Sequence, residues 1–391
     1  MSGAALRLAP APAFVPFARP DVGRGEAEAV LETLASGWLS TGPKVQEFEA
    51  AFARYARAPH AVAVNSCTAG LHLSLLAAGI GPGSTVVTTP LTFCATANAI
   101  IHTGATPVFA DVDRRTMNLD PAAAAEAVLP STRAVLPVHF AGRPVDVAGF
   151  RALKARHGLT IIEDAAHAVE AAWRGEKVGA VADFTCFSFY ATKNLTTGEG
   201  GMVTTASGAR AEWLRVAALH GMSRDAWKRY RADGVPQYDV VMPGFKYNMM
   251  DLQAAIGLRQ LARLDAMHAR RAAIWARYDE ALAPLPLVRP APPEPDTVHA
   301  RHLYTVLVDE TACGWSRDAL QQALQARGIG TSVHFRALHL HAYYAERFGL
   351  RRGMFPHAEH ISDRTLSLPL SAATSDEDVE RVVEALTDLL R

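Results

Sequence analysis

The sequence predicts an α/β protein with a large domain built on a mostly parallel sheet and a smaller C-terminal α/β domain. Three observations predict it. Short apolar runs alternate with helical patterns from about residue 30 to residue 207, a long amphipathic stretch begins at Asp251, and strand and helix patterns resume after a proline-rich break. With 391 residues, 49% hydrophobic and 20% charged, the chain can bury sizeable cores and lies far from disordered composition.

In chain order, the apolar runs 61–64, 85–88, 107–112, 134–139, 159–162, 184–189 and 202–205 read as strands buried on both faces. In such a sheet ligands sit beyond the carboxyl ends of the strands, so polar residues that follow these runs are the first candidates. Asp251 is placed to cap a long helix, because Leu252, Ile256, Leu261, Leu264, Met267, Arg271, Ile274, Tyr278 and Leu282 recur mostly at steps of three and four. Pro284 stops it, and the six prolines of residues 284–295 make a stiff linker. Then come a strand at 303–308, a helix capped by Ser316 and closed near Gly328, a second strand at 329–334 and a final helix after Ser375. The expected division is a tail over 1–16, a large domain over 17–250, and the long helix with a small domain over 251–391.

Charge narrows the partners. Lys plus Arg is 39 and Asp plus Glu is 39, so no bulk field favours a polyanion and nucleic acid is excluded as main partner. Cys67, Cys94, Cys186 and Cys313 form no Cys-x-x-Cys pair, which fits a reducing cytoplasm rather than a disulfide framework or zinc ribbon. Pro10, Pro12 and Pro16 interrupt the apolar N-terminus, so it reads as a short extended tail and not a signal peptide. The most membrane-like stretch, 61–80, carries Asn65, Ser66, Thr68, His72 and Ser74, too polar for a span in lipid.

Four places carry chemistry. Asp164, in Glu-Asp-Ala-Ala-His, follows the run 159–162 and stands where it can cap a helix or hold a protonated ring nitrogen. Lys193 follows the run that contains Ser188 and precedes a glycine-rich turn at 198–201. An amine returned to apolar surroundings there loses protons more readily and can attack a carbonyl. Asn65 to Gly70 lies between a strand and a helix, where backbone N–H groups and the Thr68 hydroxyl make either a cap or a phosphate cradle. Phe93 follows a Pro90 turn and is either core or a stacking surface for a planar ring. Taken together, these residues are what pyridoxal 5'-phosphate (PLP) requires: a lysine for its aldehyde, a carboxylate for its ring nitrogen and dipoles for its phosphate.

From Phe17 to the C-terminus the chain resembles the PLP-dependent nucleotide-sugar aminotransferases of the DegT/StrS group. The resemblance is carried by residues 37–43 (Gly-Trp-Leu-Ser-Thr-Gly-Pro), 65–71, 163–167, 188–193 (Ser-Phe-Tyr-Ala-Thr-Lys) and 198–201. Within the group it is most similar to UDP-4-amino-4-deoxy-L-arabinose/oxoglutarate aminotransferases, through residues 138–142, 243–248, 328–331 and 334–337. The resemblance implies the aspartate aminotransferase-like fold, type I. It also implies a cytoplasmic homodimer with shared sites, glutamate as donor with 2-oxoglutarate as its product, and a pyridoxamine phosphate form in the second half-reaction. Lys193 then bears the Schiff base, Asp164 pairs with the pyridinium nitrogen, and His167 lies near the phenolic oxygen. Phe93 stacks, and Cys67, Thr68 and Ser188 hold the phosphate. Trp38, Ser40, Thr41 and His334 fall in segments near the substrate, a UDP-4-keto-pentose type of sugar used in lipopolysaccharide or polysaccharide biosynthesis. The group's phosphate is also touched by a residue of the neighbouring chain; here Lys246 stands at the usual Asn position and Asn248 at the usual Arg position.

Other readings are weaker. Residues 37–44 imitate a phosphate-binding P-loop, but Pro43 interrupts it and no Ser or Thr follows Lys44. Residues 79–83 precede a strand rather than follow one, so they form a turn and not a dinucleotide fingerprint. His334, His339 and His341 raise a metal site without a carboxylate or cysteine at ligand spacing, so no metal is expected. Related sugar dehydratases replace the lysine with His, and a regulator that had lost the chemistry would not need Lys193. A dTDP-linked or a 3-keto sugar is the alternative substrate.

Overall fold

A computed structural model describes residues 14–222 and 239–391; the first thirteen residues of the expected tail lie outside the described residues. The first apolar runs form β1 (His60–Val64), β2 (Thr85–Thr88), β3 (Thr106–Phe109), β4 (Thr132–Leu136) and β5 (Thr160–Asp164). A short hairpin, β6 (Ala172–Trp173) and β7 (Glu176–Lys177), separates these from β8 (Phe184–Ser188) and β9 (Gly201–Thr205). Seven of them make one sheet in the order β1-β9-β8-β5-β4-β2-β3. Pairing is parallel from β3 to β8, and β9 alone runs against its neighbours. The carboxyl ends of β1, β2, β5 and β8 therefore open on one edge. Their side chains are buried nearly throughout, as expected of a sheet covered by helices on both faces.

A second sheet pairs β10 (Leu287–Val288), β11 (Tyr304–Val308) and β12 (Thr365–Leu368), all antiparallel. Its core gathers Ile274, Tyr278, Leu320, Leu324, Val382 and Leu386 from three helices. Val15 enters the same core: its N–H donates to the Gly328 carbonyl at 2.7 Å, and its carbonyl accepts from Gly330 at 2.8 Å. Among the described residues no helix is long and apolar enough to cross a membrane.

Two local expectations fail for identifiable reasons. The long helix is two, Asp251–Ala262 and Leu264–Ala281, and Asp251 does not cap its own helix, which Met250 precedes as cap. Its carboxylate instead accepts from the backbone of Gly42 at 2.8 Å, Val45 at 2.9 Å and Lys44 at 3.1 Å, at the start of the helix Pro43–Ala56. Gly42 has no side chain to do this, and a Cβ there would meet the Trp38 ring within 1.7 Å, so a distant carboxylate caps the helix. Residues 329–334 are not a regular strand. They touch Val15 and Ser367 through isolated bridges, and the third strand of the small sheet is the unexpected β12. Residue 329 and residue 332 bond to different neighbours, so the segment never settles into one ladder on its way to His334.

Candidate active site

β5 delivers Asp164 to the sheet edge, buried. One carboxylate oxygen accepts from Thr96 Oγ1 at 2.8 Å, and the other from the Ala166 N–H at 3.1 Å. Burial raises its pKa, while Thr96, Ala166 and Lys193 favour the anion. The neighbouring strand β8 ends on Ser188, whose Oγ accepts from the Tyr190 N–H at 3.4 Å. The chain then turns back through Thr197 N–H to the Phe189 carbonyl at 2.9 Å, with Lys193 held by its N–H to the Tyr190 carbonyl at 2.9 Å. Burial pushes the Lys193 amine down to about 8, opposed by Asp164 and Cys67.

β1 leads into Ser66, which caps the helix Cys67–Ala77 by accepting from the Ala69 N–H. β9 starts against this turn at Gly201, where a Cβ would come within 2.6 Å of the Ser66 carbonyl carbon. Cys67 and Thr68 thus begin a helix whose N-terminus faces the same edge as Asp164 and Ser188.

These pieces line one cleft of about 640 Å³. Cys67, Thr68, Phe93 and Asp164 lie on it, as do His167, Ser188, Lys193 and His334. Phe93 is 61% exposed, an unpacked aromatic face rather than a core residue. His167 keeps Nδ1 buried without a partner among the described residues, and burial next to Lys193 holds its pKa well below the usual imidazole range. His334 donates to or accepts from Ser367 through Nδ1 at 2.9 Å, and burial pushes it down to about 3. The cleft's imidazoles are therefore neutral at pH 7. Among the described lining residues Lys193 is the one lysine or arginine.

Five anticipated residues stand elsewhere. Trp38, Ser40, Thr41, Lys246 and Asn248 do not line this cleft but form a surface cluster. Trp38 Nε1 donates to the Thr41 carbonyl at 3.1 Å, Asn248 Nδ2 to Thr41 Oγ1 at 2.6 Å, and Lys246 Nζ to Asn248 Oδ1 at 2.7 Å. The Ser40 carbonyl accepts from the Asp251 N–H at 3.1 Å. Conversely, sequence reasoning missed Thr96 and Phe335. Phe335 lies nearly parallel to His167, with centroids 6.2 Å apart and planes at 16°. Thr96 has no local signal, since it reaches Asp164 across 68 residues; Phe335 was hidden in a segment that alternates like no regular element. His339, one of the three histidines considered for a metal, bonds Glu359 at 2.9 Å.

The donor set fits PLP: a half-buried amine of lowered pKa, a fixed carboxylate, an open aromatic face, and a helix N-terminus flanked by the Thr68 and Ser188 hydroxyls. Comparison with known proteins agrees. The model of the DegT/DnrJ/EryC1/StrS aminotransferase family matches residues 20–387. The spore coat polysaccharide biosynthesis protein SpsC of Bacillus subtilis (strain 168) is 52% identical over 380 residues, 97% of each chain. Among solved structures, Spr1654 from Streptococcus pneumoniae, described as a sugar aminotransferase, is similar in its PMP form with a TM-score of 0.90 at 32% identity, covering 96% of this chain and 98% of that one. Its PLP form superposes with a TM-score of 0.89 at the same identity and coverage. With a family match over nearly its whole length and a relative more than half identical to it, the chain belongs to the DegT/DnrJ/EryC1/StrS aminotransferase family and has the PLP-dependent aminotransferase fold.

Proposed function

We propose that the chain uses PLP to carry an amino group from glutamate to the keto group of a nucleotide-linked sugar of UDP-4-keto-pentose type. The observation that carries the reading is the pairing of an amine near pKa 8 with a buried carboxylate in one cleft that also offers an anion cradle. When bound, PLP supplies an electrophilic carbon and a ring that takes up electrons from the carbon being deprotonated. The chain does the rest. Asp164 holds the ring nitrogen and keeps it protonated, and Phe93 covers a ring face. Backbone N–H groups at Cys67 and Thr68, with the Thr68 and Ser188 hydroxyls, bind the phosphate. His167, neutral, hydrogen-bonds the phenolic oxygen. Lys193 would hold the cofactor at rest and, once released, its neutral amine would serve as the base and acid that moves a proton between the substrate carbon and the cofactor.

A sugar nucleotide suits the reading better than a free sugar, which offers little remote binding energy to position its carbonyl. The nucleotide adds remote contacts that position the carbonyl. SpsC, named for spore coat polysaccharide biosynthesis, supports a sugar destined for polysaccharide. The surface cluster of Trp38, Ser40, Thr41, Lys246 and Asn248 fits a role at the cleft of a second copy. Exposed Leu39 and Met250 adjoin these residues in the chain and would be covered in a homodimer. Competition tests the substrate: UDP is expected to inhibit glutamate-dependent amination, and free 4-keto sugar at equal concentration neither to inhibit nor to react. Amination of a small keto acid or free sugar as efficient as that of every nucleotide sugar tried would overturn it.

A further inference from the structure

Behind Lys193 lies a buried polar chain to which the reaction assigns no role. Asn194, next in sequence, spends its whole carboxamide inside the protein: Nδ2 donates to Glu170 Oε2 at 2.8 Å and to the Ala300 carbonyl at 2.9 Å, and Oδ1 stands 2.9 Å from His302 Nδ1. Both amide N–H groups are taken by oxygens, so Asn194 Oδ1 can only accept and His302 must carry a proton on Nδ1. Glu170 is itself paired with Arg271, and both are buried. On its other side the His302 ring packs on His167, with centroids 4.3 Å apart. The charged and titratable groups around His302 are Lys193, His334, Arg271, His299 and His167, and burial among them holds the ring neutral.

We propose that His302 is a positioning residue of the active site: by donating Nδ1–H to Asn194 it locks the turn that presents the Lys193 amine, and its uncharged ring backs His167. Among the described residues no side chain hydrogen-bonds the Lys193 amine, so the backbone on either side of it sets where the amine stands. The Tyr190 carbonyl fixes the N-terminal side. Asn194 fixes the other, and among the described residues His302 alone partners Asn194 Oδ1. Without that donor the turn loosens and the lysine reaches water, where an amine ionises near ~10.4.

The inference rests on Lys193 as the reactive amine, and its test is kept apart from turnover by reading the amine directly. In the full chain freed of cofactor, Lys193 is labelled with acetic anhydride from about pH 6 to about pH 10 and the label is counted by peptide mass spectrometry. The unaltered chain is expected to titrate near about 8. His302→Leu is expected to raise the midpoint by about one unit and to slow labelling at that pH about fivefold. His302→Asn, which returns an amide N–H near the place of Nδ1, is expected to restore the midpoint. An unchanged midpoint in His302→Leu, or His302→Asn behaving like His302→Leu, would overturn the proposal. If His302→Leu does not fold, nitrogen–proton correlation of the unaltered chain decides. A neutral His302 protonated on Nδ1 supports the proposal, and an Nε2–H tautomer or an imidazolium defeats it.

Discussion

The cleft and the surface cluster are both polar, yet they are built in opposite ways. In the cleft Asp164 is buried and held by Thr96 and Ala166, and the amine of Lys193 is depressed by burial. In the cluster Lys246, Asn248 and Thr41 bond in a line at the surface, beside exposed Leu39 and Met250. Burial is what proton transfer needs, because it moves a lysine toward neutral pH. It is not what holding an anion needs, for which a charge that can reach across an interface suffices. On the proposed homodimer, the contrast separates the buried chemistry of one chain from a further hold on the cofactor phosphate that the surface cluster of a second chain would add.

Removing the amine is the strongest way to break this contrast. Lys193→Ala is expected to lower turnover by roughly 10²–10⁴-fold or more, with circular dichroism unchanged. The retained activity of the unaltered enzyme should rise with pH through about 8, because the amine works as a base only after losing its proton. A rate flat across that range would assign the base elsewhere. Asp164→Asn should cost about 10²–10³-fold, since a neutral amide no longer keeps the ring nitrogen protonated, while part of the cofactor stays bound. Absorbance titration with PLP reads the second half of that statement.

The smallest effect sharpens the contrast rather than breaking it. Lys246→Ala with Asn248→Ala should weaken cofactor binding by about 1.5–3 kcal/mol, the worth of a hydrogen bond to a charged group. Mixing this variant with Lys193→Ala should recover turnover, because a mixed dimer carries one intact site. No recovery in a mixture shown by light scattering to exchange subunits would confine the cluster's role to its own chain.

Legibility in the sequence followed the range of the contacts. Asp164 and Lys193 could be found because each follows an apolar run, and a strand's carboxyl end is a place that local sequence specifies. The strands of the large sheet were readable for the same reason. Thr96 was not, since its function is a bond to a residue 68 positions away. Nor was β12, four residues wedged between two helices, whose identity as a strand comes only from pairing with β11. Asp251 shows the limit most clearly. Its pattern announced a capping carboxylate correctly, but which helix it caps depends on a tertiary neighbour.

That cap also sets an order of events during synthesis. The helix Pro43–Ala56 leaves the ribosome early, but the carboxylate that satisfies its first N–H groups is more than two hundred residues behind. β1 waits in the same way for β9, its partner in the sheet. A nascent chain interrupted before residue 251 would therefore hold an amphipathic helix with an unfinished end, and one interrupted before residue 201 an unpaired edge strand as well. Until their partners arrive such segments are open to aggregation, and their pairing is a long-range step of folding.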